Sequence, residues 1–192
     1  ETMEGDIIRR LQAVADQSGV AIVSSFICAP TPNANCLSPI AKLVNRGFMV
    51  VPHSEVQIQD KRHLYAHGGE DLFFQPAEER HIFEYKGVKI LLLVCYDLRF
   101  PELTRNLALQ GLDMLFVVSQ WPKKRVFHLL SLTIARAIEN QIFVVCCNSC
   151  GTAEDTIYGG NSAVIDPLGV AVSLAGEKEE ILTSECDMQM LS

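Results

Sequence analysis

The stretch KILLLVCYDLRFPELTRN, residues 89–106, carries an apolar run into Cys95 and then turns at once through Tyr96-Asp97-Leu98-Arg99-Phe100-Pro101. A cysteine at the end of a buried strand, followed by a tight turn and a helix, is the arrangement that lifts a nucleophile clear of a sheet's carboxyl edge. There the backbone N–H of Tyr96 would point at a developing oxyanion, and the helix N-terminus would favour a thiolate. The other reading is a packed structural thiol, a common fate for cysteine. A thiol nucleophile usually needs a base. The five histidines, His53, His63, His67, His81 and His128, sit in no cysteine-protease signature and read as surface or loop residues. Lys61 and Glu70 bracket an irregular stretch and offer a cation and a carboxylate, although DKRH by itself reads as a solvated turn.

Six other cysteines compete with Cys95. Cys28 and Cys36 fall in a proline-rich loop and are expected to be exposed, with no base or oxyanion donor in sequence reach. Cys146 and Cys147 should alternate across a buried strand, so that at least one is packed and inert. Cys150 and Cys186 sit near strand ends with no matching motif. The C-x-x-C of Cys147 and Cys150 lacks a second pair for zinc and does not open a helix as a redox pair would. Gly159-Gly160 lacks the lysine and helix of a phosphate-binding loop.

The elements that must position these residues follow from periodicity. Apolar residues at 7, 8, 11, 14 and 15 predict a helix stopped by Gly19. VAIVSSFI, AKLVNRGFMVVP and EVQIQ read as strands, with a loop at 28–39 rich in proline and asparagine between the first two. Residues 61–80 form an irregular stretch, which inside a compact domain is more often functional than idle. HIFEY and VKILLLV flank Lys86-Gly87 as a hairpin, Pro101 suits the first position of a helix, and DMLFVVS and IFVVCCN are buried strands. Between these two strands VFHLLSLTIARAIENQ has a helical apolar face. Short strands fill the C-terminal third. The whole reads as one α/β domain spanning 1–192 and incomplete at both ends.

The 192 residues are 48% apolar and 20% charged, which predicts a folded globular chain. A net charge of −7 argues against nucleic acid and against an anionic membrane surface as partners. No apolar run approaches the length of a membrane span. Seven cysteines at irregular spacing fit a reducing compartment, the cytoplasm, better than a disulfide framework.

Taken together, CYDLRFPELTRNLALQG, the upstream DKRHL and the downstream TIARAIENQIFVVCCNSCG resemble the nitrilase superfamily of carbon–nitrogen hydrolases. SQWPKKR places the resemblance nearest the omega-amidase-like branch, and YGGNSAVIDPLG looks like the family's late strand pair. The likeness covers most of residues 20–187, while the loop at 28–41 is longer than is usual there. It implies a four-layer α-β-β-α sandwich that forms a homodimer through helices bordering the active site. It also implies a Glu-Lys-Cys catalytic set with Cys95 as nucleophile, Lys61 as the lysine and Glu70 as the second, supporting glutamate. The general-base glutamate of the family lies on an earlier strand end, and neither Glu1 nor Glu4 matches it. The chain starts without Met, so the expectation is that it is part of a longer product, with the first strand and the base encoded upstream.

The implied activity is hydrolysis of the amide of a small carboxylic acid through a cysteine thioester, with release of ammonia and with no metal or organic cofactor. Tyr96 would donate to the oxyanion, and Arg99 and Trp121 would contact the substrate's carboxylate and wall, although Arg99 equally suits a structural ion pair. The alternatives are a non-catalytic binding or assembly protein on the same fold, if the base is truly absent, and an acyltransferase or an amidase for a deaminated small peptide.

Overall fold

A computed structural model describes residue 3 and residues 5–29, 43–78 and 80–191. Glu1, Glu4, Cys36 and residues 30–42 of the long loop lie outside the described residues. The chain divides into two compact units, Glu1–His81 and Ile82–Ser192.

In the first unit the predicted helix is α1, Asp6–Ser18, and Gly19 closes it at φ 69° with its N–H on the Ala15 carbonyl. That left-handed cap is cheap for glycine and costly for other residues. Ile8 and Ala15 on its buried face pack with Phe48 and Val50 of the sheet. The sheet is antiparallel: β1, Ile22–Cys28, pairs with β2, Val44–Val50, which pairs with β3, Gln57–Asp60. Its register is pinned by a pair directly across two strands. Arg46, 5% exposed, grips Asp60 with Nε and Nη2 at 2.6 and 2.8 Å. Such a forked pair is geometrically demanding, so it locks the end of β3 in place. Cys28 corrects one expectation: it ends β1 opposite Val44 at 1% exposure, because the strand runs one residue into the start of the proline-rich segment. After β3 the expected irregular stretch contains a 3-10 turn at Ala66–Gly68 and the four-residue helix α2, Glu70–Phe73.

The second unit is built on a six-stranded sheet. In chain order its strands are β4, Phe83–Tyr85; β5, Val88–Val94; β6, Met114–Ser119; and β7, Phe143–Asn148. The side hairpin β8, Cys150–Ala153, and β9, Thr156–Gly159, stands apart from this sheet. β10, Ala163–Ile165, and β11, Ala171–Leu174, complete the sheet in the order β11-β10-β7-β6-β5-β4. Lys86 and Gly87 both have positive φ, the geometry of a two-residue hairpin turn that follows strand twist. β5, β6 and β7 are parallel. They are joined by α3, Pro101–Ala108, and α4, Val126–Asn140, as two strand-helix-strand crossovers. Leu91, Leu93, Leu115, Val117, Val144 and Cys146 form one core with Leu107 of α3 and Leu129 and Ala137 of α4. The parallel strands therefore end on one edge, where Cys95, Trp121 and Asn148 lie.

Candidate active site

Cys95 follows the last residue of β5 and opens a one-turn 3-10 segment, Cys95–Arg99, before Pro101 starts α3. Its φ is +51°, in the left-handed region. A side chain with a Cβ is held there at a cost of about 1–2 kcal/mol, and such strain is typical of a nucleophile at a strand-to-helix turn. The thiol is half-buried, while Asp97 and Leu98 behind it are fully buried. The turn is also tied to the neighbouring helix. Arg136 of α4, 3% exposed, donates from Nη2 to the Leu98 carbonyl at 2.8 Å and from Nη1 to Glu139 at 2.9 Å. A cation on a carbonyl at the end of a helical turn is electrostatically favourable.

Arg99 leaves the same turn and is flanked by two rings. Its guanidinium carbon stands 4.7 Å from the Trp121 ring centroid and 5.7 Å from that of Tyr96, both within cation–π range. Tyr96 in turn meets Phe100 edge to face at 5.5 Å. The third partner of Arg99 is His128 of α4, whose Nδ1 lies 3.1 Å from Nη2. A guanidinium has no acceptor, so Nδ1 accepts. Arg99 thus holds a half-buried positive charge four residues from the thiol, with no carboxylate in any of these contacts.

Trp121, 3% exposed, follows β6 in the segment SQWP. Its peptide N–H donates to Asn148 Oδ1 at 2.7 Å, and its carbonyl accepts from the Gly159 N–H at 3.0 Å. Gly159 has no room for a side chain, since a Cβ there would sit 2.0 Å from Val126 Cγ2.

Lys61 and Glu70 lie in the first unit. Lys61 is the residue after β3, with its N–H on the Asn45 carbonyl, and its side chain is 1% exposed. Nζ donates to both oxygens of Glu70, at 2.7 and 2.6 Å. Glu70 opens α2, and its Oε2 also accepts the Tyr65 N–H at 2.6 Å. Gly69 at φ 75° delivers the chain into that helix, a turn that glycine makes without strain. The two residues that the resemblance pairs are therefore paired.

Structure thus gathers Cys95, Tyr96, Arg99 and Trp121 in the second unit and Lys61 with Glu70 in the first. Sequence reading passed over Arg136, His128 and Asn148 as functional residues. Arg136 and Asn148 stood inside the quoted motif TIARAIENQIFVVCCNSCG, and their signal is that both are polar residues next to apolar positions of buried elements. Among the other thiols, Cys146 is buried, and that burial pushes it up to about 12 from an ordinary 9.0. Cys147 is exposed, so the two do alternate. Cys186 is also raised by burial.

Comparison with known proteins adds four findings. The family model described as carbon-nitrogen hydrolase matches residues 1–192. The 2-oxoglutaramate amidase of Bacillus subtilis (strain 168) is 43% identical over 179 residues, which are 93% of this chain and 66% of that protein. The omega-amidase YafV of Escherichia coli (strain K12) is 36% identical over 173 residues, 90% of this chain and 63% of that protein. The chain thus spans just under two thirds of the length of these curated relatives. Among solved structures, XC1258 from Xanthomonas campestris, a CN-hydrolase superfamily protein with an arsenic adduct in its active site, superposes with a TM-score of 0.88 at 32% identity. That match covers 99% of this chain and 71% of the other.

Proposed function

The chain belongs to the carbon-nitrogen hydrolase family, and on that footing we propose that it hydrolyses the terminal amide of a short dicarboxylic acid through a thioester on Cys95. Its α/β fold is the one the resemblance implied. The observation that carries the reading is the strained Cys95 at the edge of the parallel strands, with the Arg99 cation of the same turn stacked on Trp121. The names of the two amidase relatives support the same substrate class.

In this mechanism a base takes the Cys95 proton and the thiolate attacks the amide carbon, forming a C–S bond and a tetrahedral oxyanion. The Tyr96 N–H stabilises that oxyanion, a contribution of about 3–4 kcal/mol for such a donor, and the resemblance assigns Lys61 the same role. Glu70 holds the lysine in place. Collapse breaks the C–N bond, and the base returns its proton to the departing nitrogen, which leaves as ammonia. Water then adds to the thioester, the carboxylic acid leaves, and the thiol is restored. The resemblance gives the role of base to a glutamate, and no residue of this chain is matched to it. Arg99 receives the substrate's far carboxylate, with Trp121 as the wall beside it.

The six free cysteines among the described residues fit a reducing cytoplasm. No helix among those residues is long and apolar enough to cross a membrane. Phe127 and Ile138, 80% and 52% exposed on α4, fit a homodimer that buries this helix.

The test is ammonia release by the full-length protein from succinamate and 2-oxo acid amides, with rapid acid quench to trap an acyl mass on the Cys95 peptide. Release from nitriles but not from these amides overturns the substrate class. An acyl group on another cysteine overturns the mechanism, and no turnover of any amide favours a binding role.

A further inference from the structure

Asn148 is a buried polar side chain of the second unit with every hydrogen-bonding atom engaged. It is the last residue of β7, 6% exposed, and stands in register with Ser119 at the end of β6. Oδ1 accepts the Trp121 N–H at 2.7 Å and the Ser119 hydroxyl at 3.1 Å. Nδ2 donates to the Gly160 carbonyl at 2.7 Å and, more weakly, to the Trp121 carbonyl at 3.4 Å. Its own backbone N–H meets the Ser162 hydroxyl at 3.0 Å. Two acceptances and two donations are all that a carboxamide offers. A buried network satisfied to that degree is rigid and directional. It draws together the exits of β6 and β7 and the turn that leads into β10.

That clasp closes on the peptide of Trp121, not on its ring. The ring is the face on which the Arg99 guanidinium rests at 4.7 Å. Of the three groups around Arg99 among the described residues, Tyr96 belongs to Arg99's own turn and His128 is an exposed residue of α4. Trp121 is the buried one, and Asn148 decides where its peptide stands. We propose that Asn148 is the positioning residue for acid selectivity: by gripping the Trp121 peptide it fixes the indole against which Arg99 is held, and so sets the enzyme's preference for amides that carry a second carboxylate. This rests on the reading of Arg99 as the carboxylate partner.

Asn148→Asp is the informative change. It keeps the volume and both acceptor contacts but replaces two donors with a carboxylate oxygen that faces the Gly160 and Trp121 carbonyls. Asn148→Ala removes all four contacts and is the harsher companion. The full-length enzyme and its variants are assayed on succinamate and on butyramide, a neutral amide of the same length, with thermal melts alongside. We expect Asn148→Asp to raise the KM for succinamate about tenfold, the fold-change that about 1.4 kcal/mol of lost charge contact produces. The rise for butyramide is several-fold smaller, and kcat falls less than KM rises. Arg99→Gln should give the same split, and the double variant no more of it than Arg99→Gln alone, because both act on one contact. If Arg99→Gln gives the split and Asn148→Asp instead loses kcat or melting temperature equally for both substrates, Asn148 is merely structural and the inference falls while the carboxylate reading stands. If Arg99→Gln gives no split, the carboxylate reading falls and takes the inference with it. Should Asn148→Asp fail to fold, Trp121→Phe replaces it: a split there supports the chain from Trp121 to Arg99, and its absence overturns it.

Discussion

Removing Glu70 should damage the fold more than removing Lys61, although the two make one ion pair. The asymmetry follows from exposure: the lysine side chain is 1% exposed and the glutamate 22%. In Glu70→Ala the ammonium loses both contacts, at 2.7 and 2.6 Å, on a side chain that is 1% exposed in the parent. Breaking a buried pair by deleting one partner costs about 3–5 kcal/mol, because a charge is left uncompensated. For a chain of this size that is a fall in melting temperature of roughly 6–20 °C. In Lys61→Met the apolar stem is preserved, and Glu70 keeps water and the Tyr65 N–H at 2.6 Å. The loss there is about 1 kcal/mol, or roughly 2–4 °C. The double variant Lys61→Met/Glu70→Gln contains no buried charge and should melt close to Lys61→Met, well above Glu70→Ala. Far-UV circular dichroism melts of the three variants at one pH and protein concentration decide the matter. Equal losses for the two single variants, or a double variant that melts below Glu70→Ala, would refute the reasoning.

Cys95→Gly should abolish ammonia release without lowering the melting temperature. Relief of about 1–2 kcal/mol of left-handed strain offsets the roughly 0.5–1 kcal/mol of extra chain entropy that glycine brings, and a melt lowered by several degrees would contradict the strain at φ +51°. Cys146 should make the protein alkali-sensitive. Its thiol is held up at about 12 against an ordinary 9.0, so below pH 9 both states keep the proton and it has no effect. Above 9 the unfolded chain loses the proton first, and stability falls with pH until about 12. Urea midpoints at pH 8 and 10.5 should therefore drop less for Cys146→Ala than for the parent, and equal drops would show that the thiol is not buried.

The place of Cys95 at a strand end was legible in the sequence because the apolar run, the turn and Pro101 are local signals, and a local signal survives without knowledge of the rest of the chain. The same holds for α1 with its Gly19 stop, for α4 and for the Lys86-Gly87 hairpin. What the sequence left open is what depends on partners far along the chain. Asn148 reads as a turn residue after a strand, since asparagine is common there, and only the arrival of Trp121, 27 positions earlier, turns it into a clasp. Arg136 reads as one more polar residue of an amphipathic helix until Leu98, 38 positions away, presents its carbonyl. Cys28 was misjudged because three prolines follow closely and dominated the local composition, while its pairing to Val44 is a cross-strand matter. The Lys61–Glu70 pair came from resemblance alone, as an irregular stretch has no period to read.

The six-stranded sheet has a consequence for how the chain comes off the ribosome. Counted from one edge, its strands run β4, β5, β6, β7, β10 and β11, which is the order in which they are synthesised. Each new strand therefore adds to the open edge left by the one before, and none has to be threaded between two strands already paired. Only the small β8-β9 hairpin intervenes, and it pairs with itself. Growth of this kind keeps loop closures short, and short closures are fast. It also means that the turn carrying Cys95 is braced early: once α4 has emerged, Arg136 can reach the Leu98 carbonyl while β10 and β11 are still unmade. The growing edge travels with synthesis, so that beside the three-residue β4 at the fixed edge only one further strand at a time offers a template to a neighbouring nascent chain.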